Sequence, residues 1–181
     1  MMRPSMIAIA ALVATGSIAC THEHTFANVT PARAQLQRGG ARRVAIIMDE
    51  RLVHTRYETS TDGHTFVFYN APALVANALQ GALAGSVAMV QAFPGVPSSG
   101  FDAQVIPELG IEATGMLNHH CKVRFALTVA DARGQPVVRR ELETDETFVP
   151  VANGPAACEA AVLSAFNGVA YQALAGIDGL R

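Results

Sequence analysis

The feature that most constrains the fold is an alternating stretch between residues 121 and 130. Every second residue in it is apolar, with polar or small residues between. Successive side chains of a β-strand point to opposite faces of a sheet, so this period predicts a strand with one buried face. Residues 131–135, which contain Gly134, then lead into a second β-favouring stretch at 136–144. The two stretches together predict an antiparallel hairpin.

Shorter stretches rich in β-favouring residues predict five further strands, at residues 43–48, 52–59, 64–69, 86–93 and 101–109. Asp62 and Gly63 favour a hairpin between two of them, because both residues accept positive φ. Pro107 indicates that the last of these strands ends, or lies at a sheet edge, at that point. Residues 111–117 extend or repeat it.

Two stretches have the spacing of amphipathic helices. The first follows Asn70, a candidate N-cap, and carries Val75, Leu79 and Leu83 on one face. The second covers residues 154–176. Strands and helices in this order predict an α+β fold, a two-layer sandwich in which two helices pack on one face of a mainly antiparallel sheet.

Residues 43–181 are predicted to form one domain, and an apolar content of 50% is ample for its core. The run from residue 71 to 93 carries no charge, and about 20 apolar residues can cross a bilayer. Asn77 and Gln80 within this run favour a soluble helix followed by a strand over a membrane span.

The first 19 residues have the pattern of an export signal peptide. Arg3 gives the positive start, residues 6–13 the apolar core, and Ser17-Ile18-Ala19 the small side chains that a signal peptidase accepts. The apolar core is shorter than the roughly 20 residues that a transmembrane helix needs, so we expect cleavage rather than an uncut anchor.

Two cleavage routes are open. Ser17-Ile18-Ala19 before Cys20 resembles the lipobox of bacterial lipoproteins, in which the cysteine is acylated, with palmitate for example, and becomes the N-terminus. Ser17 replaces the usual leucine, and ordinary cleavage gives a soluble periplasmic or secreted protein. We expect lipidation of Cys20. Because Thr21 rather than aspartate follows, the resemblance implies the periplasmic face of the outer membrane.

Residues 20–42 have no hydrophobic period and predict a flexible, lipid-anchored tether. Without the first 19 residues the formal charge is −3, because the whole chain carries −2 and Arg3 is removed. Nucleic-acid-binding domains present a basic face, so we expect no nucleic-acid partner.

If Cys20 is acylated, Cys121 and Cys158 are the remaining cysteines, and an oxidising periplasm permits a disulfide between them. We predict that they are joined, with the second helix lying across the strand that begins at Cys121. Two buried free thiols are the alternative.

Four histidines are candidate metal ligands: His119 and His120, and His22 and His24 in the predicted tether. Neighbouring residues of a strand point to opposite faces, so one ion could take both His119 and His120 only at a turn. No second pair is spaced to complete a tetrahedral site. We therefore expect no metal or other cofactor.

Four basic residues of the predicted hairpin form a candidate basic patch: Lys122, Arg124, Arg139 and Arg140. Such charges are either a solvated sheet face or a contact for acidic lipid headgroups or an acidic partner.

The sequence contains neither a G-x-S-x-G nucleophile elbow nor a Gly-rich phosphate loop. We expect a protein that is not an enzyme and has no catalytic residues, with catalysis by scattered residues as the alternative.

The order of elements resembles that of small bacterial α/β lipoproteins. FDAQVIPEL, FALTVADARGQPV and the helix after HTFVFYN are similar to the pattern of the LPS-assembly lipoprotein family and its uncharacterised outer-membrane relatives. The resemblance covers most of residues 43–175, is architectural, and carries over no functional residue except Cys20.

That resemblance implies a plug, chaperone or accessory subunit of an envelope machine. We expect a non-enzymatic, membrane-anchored lipoprotein that binds an envelope protein complex through an edge strand or the exposed sheet face. The alternative is a periplasmic protein that binds a small ligand or a metal between helices and sheet.

Overall fold

The structure, a computed structural model, describes most of the chain from Cys20 onward. The described residues are 20–26, 36, 39–48, 56–61, 63–97, 99–114, 119–148 and 154–180. Their strands are β1 Cys20–Thr25, β2 Arg43–Ile47, β3 Arg56–Thr61, β4 His64–Tyr69, β5 Met89–Phe93, β6 Ala103–Thr114, β7 His119–Asp131 and β8 Pro136–Phe148. Their helices are α1 Ala71–Leu83 and α2 Gly154–Leu174, with short 3₁₀ helices at Gly39–Ala41 and Ala175–Gly179.

These strands form two sheets, each with parallel and antiparallel neighbours. The order is β1-β4-β3 in the smaller sheet and β5-β2-β6-β7-β8 in the larger one. β1 is parallel to β4, and β2 is parallel to both β5 and β6. The remaining pairs, β3–β4, β6–β7 and β7–β8, are antiparallel. The α+β fold is confirmed, with the strands divided between two sheets.

The predicted hairpin of the larger sheet is confirmed. Asp131 builds its turn, because its Oδ1 accepts hydrogen bonds from the backbone N–H groups of Arg133 and Gln135 at 2.8 and 2.9 Å. Gly134 has a φ of 78°, which glycine adopts without steric cost. β8 continues past the predicted end at residue 144 to Phe148.

The hairpin of the smaller sheet is also confirmed, with Thr61 opposite His64 and Gly63 at a φ of 77°. Its first strand begins at Arg56, and the predicted residues 52–55 lie outside the described part of the chain.

β6 passes through Pro107 without a break, so the predicted end at Pro107 is wrong. The alternative prediction, that the strand lies at a sheet edge at Pro107, is closer to the structure. Pro107 pairs with Leu127 of β7, whereas the pairing with β2 stops at Val105. Proline has no N–H to donate, and here it stands just beyond the last residue paired with β2.

The first described residues form a strand, and the tether prediction is wrong for them. β1 pairs with β4 along its whole length, from Cys20 opposite His64 to Thr25 opposite Tyr69. The next residue, Phe26, is buried and its ring stacks on Phe68 at 5.6 Å. A short polar strand has no hydrophobic period of its own, and its partner is far along the chain, so local sequence does not reveal it.

One continuous core joins both helices to the sheets. On the larger sheet this core includes Ile46 of β2, which lies in line with Val105 of β6 and Val129 of β7, and Val44 of β2, which lies beside Ala103 of β6. α2 covers β7 and β8, and Phe166 of α2 packs on Phe125 with ring centroids 5.5 Å apart.

The predicted disulfide is confirmed. Cys121 of β7 and Cys158 of α2 are joined, their Cα atoms are 5.2 Å apart, and both residues are fully buried. The bond fixes the first turns of α2 on the sheet.

Asn70 occupies the predicted N-cap position of α1, but its side chain does not make the hydrogen bond that an N-cap residue usually makes. Its backbone is left-handed at a φ of 63°, and its side chain makes no capping hydrogen bond. Its backbone carbonyl instead accepts a hydrogen bond from Leu74 N–H at 2.8 Å.

The uncharged run from residue 71 to 93 divides into α1, a gap and β5, as predicted. α1 has 13 residues, fewer than the about 20 that span a bilayer. Among the described residues, the segment Ala156–Gly179 alone is a helix long and apolar enough to cross a membrane by composition. Half of its most apolar stretch is buried within the protein, and the segment carries the disulfide, as expected of a core helix.

Candidate interaction surface

Along β6, β7 and β8, one face of the larger sheet packs in the core, and the other face carries exposed charged side chains. Strand alternation places nine charged or titratable residues of these strands together on that exposed side, because the three strands pair in register. We call this surface the charged face; its charged and titratable residues are Glu108, Glu112, His120, Lys122, Arg124, Arg139, Glu141, Glu143 and Asp145.

A chain of ion pairs runs across the charged face. Both guanidinium Nη atoms of Arg139 donate hydrogen bonds to the Glu108 carboxylate. Its Nη2 also donates a hydrogen bond to Glu141 Oε2 at 3.2 Å. The Nε of Arg124 donates to the other carboxylate oxygen of Glu141. Hydrogen bonding to Arg139 lowers the pKa of Glu108, and hydrogen bonding to Arg124 lowers the pKa of Glu141. The network therefore holds these carboxylates ionised.

The prediction of a basic patch is wrong, because its cations are neither all unpaired nor all on one side of the sheet. Arg124 and Arg139 are bound to carboxylates of the charged face. Arg140 lies on the opposite side of β8, in alternation with Arg139, and its Nη1 donates to the Arg139 carbonyl at 3.0 Å. The missed signal was the alternating acidic residues of 108–112 and 141–145, which share a face with the arginines once the strands pair.

Gly110 leaves a hollow in the charged face. It lies opposite Arg124 and has no side chain to fill the space between the neighbouring charged groups. The hollow measures about 330 Å³ and is lined by Gly110, Ile111, Glu112, Lys122, Arg124 and Glu143. A smaller hollow of about 120 Å³ shares Gly110 and Arg124. A Cβ on Gly110 would meet nothing nearer than Arg124 Cβ at 4.0 Å, so a larger residue fits there.

The candidate metal ligands His119 and His120 are neighbours in β7. The His120 side chain lies on the charged face, where its Nδ1 is 3.0 Å from Asp145 Oδ1. Within the described residues, no group of three or more His, Cys, Asp or Glu side chains could hold a metal ion. That the protein binds no cofactor stays a prediction.

The two histidines of β1 make contacts that the sequence did not reveal. His22 Nε2 lies 2.9 Å from His64 Nδ1, and the His22 ring stacks on Phe66 at 5.0 Å. Burial, and then the charge of His64, lower the pKa of His22. His24 Nε2 contacts Glu159 Oε2 of α2 at 2.8 Å. These side chains fasten β1 to β4 and to the beginning of α2.

Cys20, the predicted lipidation residue, is the first residue of β1. Its backbone pairs opposite His64, so the predicted attachment point belongs to the folded domain. Lipidation of Cys20 itself stays a prediction.

No family model matches the chain, and no curated protein is similar to it in sequence. Among solved structures, protein XCC0632 from Xanthomonas campestris, of family DUF330, is similar with a TM-score of 0.58 and 12% identity, over 84% of this chain and 96% of that chain. The hypothetical protein CT253 from Chlamydia trachomatis has a TM-score of 0.45 and 12% identity, over 78% of this chain and 98% of that chain. The chain thus shares its fold with a bacterial DUF330 protein, which agrees with the uncharacterised-relative part of the predicted resemblance.

Proposed function

We propose that this protein is a non-enzymatic, periplasm-facing lipoprotein that serves as an accessory or assembly subunit of an envelope complex. In this proposal Cys20 carries the lipid at the outer membrane, and the charged face binds the partner protein. The export-signal pattern before Cys20 and the exposed charged face with its hollow at Gly110 support it.

The observation that carries the binding role is the arrangement of charges on the charged face. Charges of both signs are held in fixed positions by the Glu108–Arg139–Glu141–Arg124 chain. Pre-ordered charges give orientation and specificity to a protein contact more than raw affinity. The hollow beside Arg124 gives a protruding side chain of the partner a place to insert.

The sign of the charged face favours a protein partner over acidic headgroups. Its five carboxylates outnumber its three lysine and arginine side chains, so the surface is acidic. A surface of that sign repels an anionic bilayer and favours a partner that presents basic side chains.

The position of Cys20 has a consequence for the anchored protein. Because β1 begins at Cys20 and pairs with β4 from that residue, an acylated Cys20 would hold the domain close to the membrane without a long tether. A partner would then be met at the membrane surface.

The binding test compares two tyrosine variants in solubilised envelopes. Gly110→Tyr fills the hollow, whereas Val96→Tyr adds the same side chain at a position that is 67% exposed and off the charged face. We expect wild type and Val96→Tyr to recover the same membrane complex and Gly110→Tyr to lose it. Equal recovery by both variants, or a bound small molecule and no partner, would contradict the proposed role.

The anchor is tested separately by metabolic labelling with a palmitate analogue. We expect the wild type to be labelled and Cys20→Ser to be unlabelled and released from the membrane. An unlabelled wild type would remove the lipoprotein part of the proposal while leaving the binding test intact.

A further inference from the structure

Among the described strands, β8 has a neighbour on one side only. It is 13 residues long, which corresponds to about 40 Å of strand. Most of its residues are exposed. A long edge strand presents backbone N–H and C=O groups to which another strand can pair. Charges commonly block such pairing, so the order of the charges along β8 decides what can bind there.

Both cations of β8 stand in its first half, and most of its carboxylates stand in its second half. Arg139 and Arg140 precede Leu142 together with Glu141, and Glu143, Asp145 and Glu146 follow it. Parallel pairing with a second copy of β8 would place like charges side by side. Antiparallel pairing places the basic half of each copy beside the acidic half of the other, so β8 is complementary to itself under a twofold axis.

One antiparallel register shows which charged residues would face each other. With Leu142, which is 38% exposed, opposite its own copy, Arg139 faces Asp145 and Arg140 faces Thr144, next to Glu146. The same register places Glu141 opposite Glu143. Each copy supplies arginines to offset that pair, because Arg124 and Arg139 bind Glu141, and Arg124 lies opposite Glu143 in its own sheet.

The helix beside this edge presents no charges that would oppose pairing between two copies. α2 packs over β8, with Gly168 directly against Leu142. The exposed positions of α2 that follow its first turns are uncharged: Ala160, Ser164, Asn167, Gly168, Tyr171 and Gln172. A twofold axis perpendicular to the sheet brings both α2 helices to the same side, where no charges of these helices oppose each other.

We infer that the protein forms a twofold dimer in which β8 pairs antiparallel with β8 of a second copy, joining the two larger sheets into one. The inference goes beyond the proposed function and does not depend on it. The hollow at Gly110 lies on the charged face and is lined mainly by β6 and β7, with Glu143 as its one lining residue from β8, whereas the proposed pairing uses the backbone edge of β8.

The test measures self-association by sedimentation equilibrium. All proteins are the full chain with Cys20→Ser, so that neither a lipid nor a free thiol joins two copies. We expect Arg140→Glu and Glu146→Lys each to weaken the dimer about tenfold, because each substitution turns two attractive contacts per dimer into repulsive ones. The matched control, Arg133→Glu, makes the same charge change in the hairpin turn and should leave the dimer unchanged.

Mixing the two weakened variants distinguishes this interface from others. In a mixed pair the Arg140→Glu and Glu146→Lys substitutions meet across the axis with opposite charges, and the second contact keeps the native Arg140 and Glu146. Association should therefore return to the wild-type strength. A monomeric wild type, equal dimerisation of all variants, or no recovery in the mixture would each overturn the inference. Circular dichroism melts confirm that every variant is folded.

Discussion

Gly176, in the 3₁₀ helix that follows α2, lies directly against Val138 of β8. A Cβ built on this glycine would stand 2.8 Å from Val138 Cγ2 and 3.1 Å from Val138 Cβ. Valine is branched at Cβ and stiff at χ1, so it cannot swing away as a longer side chain can. The missing side chain of Gly176 therefore sets how closely the end of α2 packs on the sheet.

We predict that Gly176→Ala lowers the free energy of unfolding by about 1 to 3 kcal/mol, the usual effect of overpacking a tight contact. Gly179→Ala is the matched control, because it lies in the same 3₁₀ helix and a Cβ there meets nothing within 4 Å. Denaturant unfolding of both variants measures the difference. Equal stabilities would mean that Val138 yields to the added methyl group.

The disulfide gives a second prediction. Cys121 and Cys158 are separated by 37 positions in sequence, and closing a loop of this size stabilises a fold by about 3 to 4 kcal/mol in the chain-entropy model. Replacing both cysteines by alanine should lower the free energy of unfolding by about that amount. Thiol labelling of the denatured wild type, with and without reductant, is the control. Two reactive thiols without reductant would contradict the bond.

Local patterns in the sequence are enough to predict the hairpin of β7 and β8 and both helices. Each depends on a period or a turn residue within one short stretch, such as Gly134 at its positive φ. The Cys121–Cys158 bond is instead predicted from the cysteine count and an oxidising compartment, and it requires the second helix to lie across the strand that begins at Cys121. The hairpin and the helices depend on residues that lie close together along the chain, which is what periodicity reports.

Two features that the sequence does not reveal, β1 as a strand and the charged face, depend on residues that lie far apart along the chain. The sequence of β1 predicts a tether, because a parallel partner far along the chain leaves no local signal. The four cations of the hairpin predict a basic patch because Glu108, which accepts hydrogen bonds from Arg139, lies 31 residues from it in sequence. Counting cations on one hairpin could not show which carboxylates the next strand brings beside them.

The turn at Asp131 gives a third prediction. Its carboxylate accepts two backbone hydrogen bonds, from Arg133 and Gln135. Asp131→Ala leaves both donors without this acceptor and should lower the free energy of unfolding by about 1 to 2 kcal/mol. Asp131→Asn keeps an acceptor oxygen and should lose less. If thermal unfolding ranks asparagine no better than alanine, the hydrogen bonds do not stabilise the turn.

The contact between His22 and His64 makes the stability of the fold depend on pH. Burial, followed by the nearby His64, lowers the pKa of His22 below its ordinary value of 6.5. The unfolded chain therefore binds a proton at a higher pH than the folded chain does, so unfolding takes up a proton as the solution is acidified. The stability contributed by neutral His22 is present above about pH 6.5 and is lost as the pH falls towards its folded pKa.

We predict that the melting temperature of the wild type falls between pH 7.5 and pH 5 partly because of this group. His22→Phe keeps a ring to stack on Phe66 and removes the titrating group, so its melting temperature should fall less over the same interval. The comparison of slopes, rather than of absolute melting temperatures, is the measurement, because the substitution also removes the hydrogen bond to His64. Identical slopes in the two proteins would show that protonation of His22 does not loosen β1.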